Sequence, residues 1–223
     1  MKFKSLILAT LVFGSVSAMA NTLTAKDIDS ANISAKELAE LDAMNSVGQD
    51  MSVNPELANF KANCMRETCP IYILVDKSDQ RADIFIEGKN IKDGAVDRDG
   101  VPFALGKEDG KGRWKVTTGM AGHETPLFDR HLESDARVFQ RYSSSAYPGG
   151  DWNGFGNMPF AMFIRGGFAI HGTTGSDTWG NISKLGTVPL SHGCVRIHSE
   201  NARRLNALVK KYGVANTWIR VVP

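Results

Sequence analysis

From Pro70 to its end, the chain alternates short runs of β-forming residues with turns rich in Gly, Asp and Lys. That rhythm favours a sheet protein over a helical bundle. Residues 71–75 (Ile-Tyr-Ile-Leu-Val) are dense enough in β-formers for a buried strand. Residues 76–80 read as a turn and 81–87 as a second strand, which together predict a hairpin, and residues 88–90 turn again. Residues 114–118, 158–164, 168–170 and 217–222 are further strand candidates, as are 138–142. One stretch has helical spacing instead. Ala202, Leu205, Leu208, Val209 and Tyr212 fall on one face, with Ser199 as the expected cap and Gly213 as the stop. The fold class expected is therefore mainly β, a mixed, sandwich-like domain over residues 70–223 with one principal helix.

The chain ahead of Pro70 differs. Lys2 and Lys4, a short apolar run and Ala18-Met19-Ala20 read as a secretory signal peptide over residues 1–20. The run is shorter than the roughly 20 apolar residues a membrane span needs, and no later stretch reaches that length, so no span is expected in the mature chain. Residues 21–69 read as a small helical extension. Ser34 and Glu37 form a capping box with Ile33 and Leu38 as its staple, and Asn54-Pro55 opens a second short helix. Large apolar residues are too few there for independent folding, so the segment is expected to pack on the main domain, where it could cover part of a groove, or to remain partly mobile. Removing residues 1–20 takes the formal charge from +2 to zero, since Lys2 and Lys4 are the only charges lost. No basic cluster survives, which argues against nucleic acid as a partner.

An exported chain meets oxidising conditions. Of its three cysteines, Cys64 and Cys69 are close enough in sequence to close a small loop by a disulfide, which leaves Cys194 odd. Cys194 sits in Ser191-His192-Gly193-Cys194-Val195-Arg196-Ile197, downstream of His171-Gly172-Thr173. A thiol of ordinary pKa needs a base to become a nucleophile. His171 is the expected base, because it ends a strand and can approach from a neighbouring one. Gly172 can offer its carbonyl to the His171 ring and set its tautomer. Gly193 lets the backbone turn, so the amides of His192, Gly193 and Cys194 can converge as an oxyanion hole. Arg196 places a fixed charge suited to a substrate carboxylate. The bland readings carry weight too: a lone cysteine is more often core than catalyst. Cys194 with His171, His192 and His198 also suggests zinc, but the usual ligand-pair spacings are missing. No metal and no cofactor are expected.

The residues from His171 to Thr173 and from Ser191 to Ile197 resemble the signature of the L,D-transpeptidases of bacterial cell walls, the YkuD-type catalytic domain. Met158-Pro159-Phe160, the strand-turn-strand of residues 71–89, the helix after Cys194 and the closing strand are similar as well. The resemblance covers residues 70–223; residues 21–69 match nothing in it. It implies Cys194 as nucleophile, His171 as base, Gly172 as carbonyl partner and an oxyanion site at His192, Gly193 and Cys194. Ser191, Arg196, Phe160 and Trp179 are the expected substrate contacts. The implied reaction is attack on the bond between the third, diamino-acid residue and the terminal D-Ala of a peptidoglycan tetrapeptide stem. A thioester then passes to an amine of another stem or of an anchored protein. With water as acceptor the same site is an L,D-carboxypeptidase, or a hydrolase releasing wall-linked lipoprotein. Carbapenems are the expected acylating inhibitors and the periplasm the expected location. A non-catalytic wall-binding protein is the reading from another class.

Overall fold

The computed structural model describes residues 64–104, 106–173 and 184–223. The expected signal peptide and residues 21–63 of the expected extension lie outside them. The strands in chain order are β1 (Ile71–Asp76), β2 (Arg81–Ile86), β3 (Lys89–Asn90), β4 (Trp114–Thr117), β5 (Asp129–His131), β6 (Met162–Arg165), β7 (Phe168–Gly172), β8 (Val195–Ile197) and β9 (Thr217–Val222). They form one mixed sheet in the order β5-β9-β1-β2-β4-β8-β7-β6, with β3 attached to β2. The α-helix among the described residues, α1, runs Ser199–Tyr212. Among the described residues the fold is mainly β with one α-helix.

The expected hairpin forms: β1 and β2 pair antiparallel, Ile71 opposite Ile86 and Asp76 opposite Arg81. Ile71, Ile73, Val75, Ile84 and Ile86 are fully buried. Each such side chain contributes about 1.5–3 kcal/mol of burial free energy before entropy is counted. On its other side β1 runs parallel to β9. Strand β4 joins the two halves of the sheet. Its first residues pair with β2, and Val116 and Thr117 pair with Ile197 and Arg196 of β8. Strand β7 then lies parallel to β8, with His171 opposite Arg196. Thr117, Arg196 and His171 therefore stand in one row across three strands. Helix α1 packs against β7 and buries Ala202, Leu205, Leu208, Val209 and Tyr212, the face read from the sequence.

Four local readings need correction. Residues 138–142 form no strand; Val138 makes a single bridge to Met162. Residues 158–161 also stay out of β6, because Phe160 has a left-handed φ of 57° that breaks the pleat. Glu87 and Gly88 both take positive φ, so they alone make the turn and Lys89 and Asn90 pair with β2. The helix is capped by His198, whose Nδ1 accepts the Glu200 N–H at 3.2 Å, while the Ser199 hydroxyl donates to Thr173 O at 2.5 Å. Gly213 does end the helix, its N–H donating to Val209 O at 2.7 Å. Strand β5 had no signal: Asp-Arg-His contains no β-former, and its place depends on β9, where Trp218 Nε1 donates to Asp129 at 2.8 Å.

Cys64 and Cys69 are bridged, with Cα atoms 4.8 Å apart. Both are buried in a cluster with Tyr72 and Trp218.

Candidate active site

The parallel register of β7 and β8 decides what faces what. Cys194 directly precedes β8, and His171 lies opposite Arg196, two residues further on. All three line one cleft of about 550 Å³, together with His192, Tyr147, Asn157, Met158 and Arg137. Cys194 is half-buried and unbridged, and its thiol donates to Gly167 O at 3.6 Å. The sequence therefore delivers thiol and imidazole to one cavity through strand pairing, although 23 positions separate them.

His171 is buried, and its Nδ1 lies 2.7 Å from Gly172 O. A carbonyl only accepts, so Nδ1 carries the proton and Nε2 keeps its lone pair. Gly172 is itself constrained. A Cβ there would meet Ser199 Oγ at 2.6 Å and Ser199 Cα at 2.9 Å, so a side chain would collide with the start of α1. Burial, and then the nearby Arg196 guanidinium, lower the His171 pKa from 6.5 to about 3. Burial raises the Cys194 thiol, opposed by the Ala169 amide and by Arg196. The resting pair is thus a neutral thiol and a neutral imidazole with its accepting nitrogen free of a proton. Arg196 favours a thiolate and disfavours a lasting imidazolium.

Gly193 has φ of 106°, and a Cβ there would come within 2.6 Å of the Phe168 ring. Only glycine suits this turn. Its N–H, however, donates to Ser191 Oγ at 3.1 Å. That bond occupies the Gly193 amide, one of the three expected oxyanion donors. Ser191 is fully buried, and its hydroxyl donates to Cys194 O at 2.5 Å. It shapes the turn rather than touching a substrate. Phe160 is also corrected: it is 2% exposed and packs on Phe155 and Trp152, at centroid distances of 4.9 and 5.6 Å. Arg196 does line the cleft, and Trp179 lies outside the described residues.

The aromatics of residues 142–157 occupy two settings, the cleft and the core. Tyr147 stacks on the His192 ring at 4.2 Å and 18°. Phe155 is buried in the core, with Trp152 packed against it. His123 meets the His192 ring edge-on at 5.0 Å. Tyr147, Asn157, His123 and Arg137 gave no sequence signal, since each is a single polar or aromatic residue in irregular chain.

A family model described as the L,D-transpeptidase catalytic domain, YkuD, matches residues 70–221. The chain belongs to the L,D-transpeptidase family. Among solved structures it is similar to an L,D-transpeptidase from Mycobacterium tuberculosis H37Rv, at 18% identity and TM-score 0.45, covering 70% of this chain and 58% of that one. It is also similar to L,D-transpeptidase 3 from Mycobacterium tuberculosis in complex with a faropenem-derived adduct. There the identity is 17% and the TM-score 0.46, with 70% of this chain and 61% of that one covered. An L,D-transpeptidase from Stackebrandtia nassauensis matches at 18% identity and TM-score 0.43, covering 76% and 63%. The L,D-transpeptidase domain described here thus spans about three-fifths of the length of these relatives. No curated protein sequence matches the chain.

Proposed function

We propose that this L,D-transpeptidase domain acts by cysteine acyl transfer on peptidoglycan stem peptides in the periplasm, as an exported enzyme. One observation carries the reading: the single unbridged cysteine and a buried histidine with a fixed tautomer share one cleft. His171 Nε2 takes the thiol proton as Cys194 Sγ attacks the carbonyl carbon of the third stem residue. The resulting oxyanion is met by the amides of His192 and Cys194. The C–N bond to the terminal D-Ala breaks, the imidazolium returns its proton to the leaving amine, and a thioester remains. An acceptor amine attacks that thioester, gives a proton to Nε2, and releases the thiolate, which is then reprotonated. Arg196 lowers the cost of the transient thiolate and speeds loss of the proton from His171.

The test is incubation of purified protein with tetrapeptide-bearing muropeptides, followed by mass analysis. Cross-linked dimers together with free D-Ala are expected, and Cys194→Ala should produce neither. Free D-Ala without dimers would reassign the site to an L,D-carboxypeptidase, with water as acceptor. Release of stem-linked lipoprotein from whole sacculi would assign it to wall-protein hydrolysis. A carbapenem should add its mass once to the wild type and not to Cys194→Ala. No adduct and no turnover would leave a non-catalytic wall protein.

A further inference from the structure

Outside the cleft, the described residues hold one group of Cys, His, Asp or Glu side chains whose three ligand atoms lie within 4.8 Å of one another: Cys64, Cys69 and His131. The sequence separation of the two cysteines is 5, a C-x4-C spacing that zinc-binding pairs also use. The turn between them keeps its shape through bonds that do not involve sulfur. Thr68 N–H donates to Met65 O at 3.1 Å, and Cys69 N–H to Arg66 O at 2.9 Å. Arg66 Nε donates to both carboxylate oxygens of Asp129, at 3.1 and 3.0 Å, which ties the turn to the strand that carries His131. These bonds hold the two cysteines beside His131 even with the bridge open. His131 is half-buried and meets Trp218 edge-on at 4.6 Å. Its Nδ1 lies 3.1 Å from Thr217 O. A carbonyl only accepts, so Nδ1 carries the proton and Nε2 presents a lone pair. Metal-bound histidines are ordinarily oriented in this way, by a carbonyl on the second ring nitrogen.

We infer that Cys64, Cys69 and His131 form a zinc site that exists only while the bridge is open. None of the three lines the catalytic cleft. A reduced dithiol gives two electrons and two protons to the disulfide, leaving two thiols here and a disulfide on the reductant. Zn²⁺ then displaces both thiol protons and binds two thiolates and the His131 imidazole, with water as the fourth ligand. Two thiolates cancel the charge of the ion, so the filled site suits the apolar cluster of Tyr72 and Trp218 around the sulfurs. Water has a path to it, because His131 and Trp218 line an open groove of about 470 Å³. Tetrahedral zinc, with bonds of about 2.0–2.3 Å, holds its ligand atoms roughly 3.5–3.8 Å apart. The sulfurs therefore part by side-chain rotation while the ring stays close to its place. Bridge and ion exclude each other: oxidation expels zinc, and bound zinc blocks reoxidation.

The experiment opens the bridge of the purified protein with a water-soluble phosphine, removes the phosphine without air, and titrates Zn²⁺ in competition with a chromophoric chelator. Reduced wild type should take up one Zn²⁺ per chain and Cys194→Ala the same, while the bridged protein should take up none. His131→Gln should bind about 10- to 100-fold more weakly, and Cys64→Ser with Cys69→Ser should not bind. With Co²⁺ in place of Zn²⁺, a thiolate-to-metal charge-transfer band should appear in the reduced wild type and be absent from the double variant. Equal binding by wild type and His131→Gln would mean that the dithiol alone chelates the ion, and would overturn the inference. Uptake that vanishes in Cys194→Ala would place the ion at the catalytic thiol and overturn it too, as would no uptake by reduced wild type. Should His131→Gln fail to fold, alkylation of the reduced wild type decides. Zn²⁺ should slow iodoacetamide modification of Cys64 and Cys69 by about tenfold or more, because a bound thiolate is no longer a free nucleophile, and leave Cys194 unaffected. Unchanged rates at Cys64 and Cys69 would reject the site.

Discussion

The floor and the wall of the cleft are built by different physics. The floor is strand: His171 and Arg196 are opposite by register, and Cys194 is set by the turn entering β8. The wall is loop. Asn157 holds it, its Oδ1 accepting the Ser144 N–H at 2.9 Å and its Nδ2 donating to Ser144 O at 3.2 Å and to Tyr147 O at 3.0 Å. A ladder cannot shift one residue without turning its side chains to the opposite face. A loop held by side-chain bonds can shift by fractions of an ångström. The floor should therefore set whether chemistry occurs, and the wall which molecule receives it.

The largest effect belongs to the floor. Gly172→Ala drives a methyl into Ser199 at distances of 2.6 and 2.9 Å. The carbonyl that orients His171 must move, and a misplacement of that size costs roughly 100-fold in rate. Carbapenem acylation should slow by at least that factor, with a stability loss of about 1–3 kcal/mol from overpacking. Acylation within a factor of three of wild type would show that the Gly172 carbonyl does not set the tautomer.

Next comes pH. The imidazole must be unprotonated to accept the thiol proton, and its folded pKa is depressed to about 3. The acid limb of kcat/KM should then lie well below the ordinary histidine value of about 6.5. A limb at 6.5 would instead indicate a solvated base. The same depression has a consequence for stability. The unfolded chain protonates this ring near 6.5 and the folded chain only near 3, so stability falls as pH drops through that window. The slope from this one group is up to about 1.4 kcal/mol per pH unit. Denaturant midpoints from pH 6.5 to 4.5 should fall less steeply in His171→Gln than in wild type.

The wall should give a smaller and different signature. Asn157→Ala removes the three bonds that gather residues 144–147 beneath Tyr147. The KM for a muropeptide donor should rise about fivefold, the equivalent of roughly 1 kcal/mol, while kcat stays within a factor of two. A fall in kcat with constant KM would mean that the stack of Tyr147 on His192 positions an oxyanion amide, and the contrast between floor and wall would collapse.

The same division explains what the sequence made legible. Hairpin β1–β2, strand β9 and the buried face of α1 followed from runs of β-formers and from helical spacing, because burial there is continuous. Cys194, His171 and Gly172 were readable because thiol–imidazole chemistry in general calls for those residue types in a tight local pattern. Their meeting was not derivable from spacing, since it depends on β7 and β8 being parallel neighbours. Ser191 and Gly193 were given outward roles because a motif does not show where its polar atoms point; in the fold they bond to each other. Phe160 misled for a related reason, its positive φ turning an aromatic beside a strand into the core. Arg137, Tyr147 and Asn157 left no pattern, because loops held by single side-chain bonds carry no periodicity.

The smallest effect on catalysis should come from the disulfide, which tests whether order far from the floor matters to it. Cys64 and Cys69 share their cluster with Tyr72 and Trp218, and none of the four lines the cleft. The bridge closes a loop with a sequence separation of 5. Chain-entropy reasoning gives about 2 kcal/mol for so short a loop. Cys64→Ser with Cys69→Ser should therefore lower the denaturant midpoint by an amount near that value and leave the acylation rate of Cys194 within a factor of two. A tenfold loss of acylation in a folded double variant would show that a disturbance at the β1–β9 pair reaches β8 through β2 and β4, the strand that joins the two halves of the sheet. The floor would then depend on the whole sheet rather than on its local register.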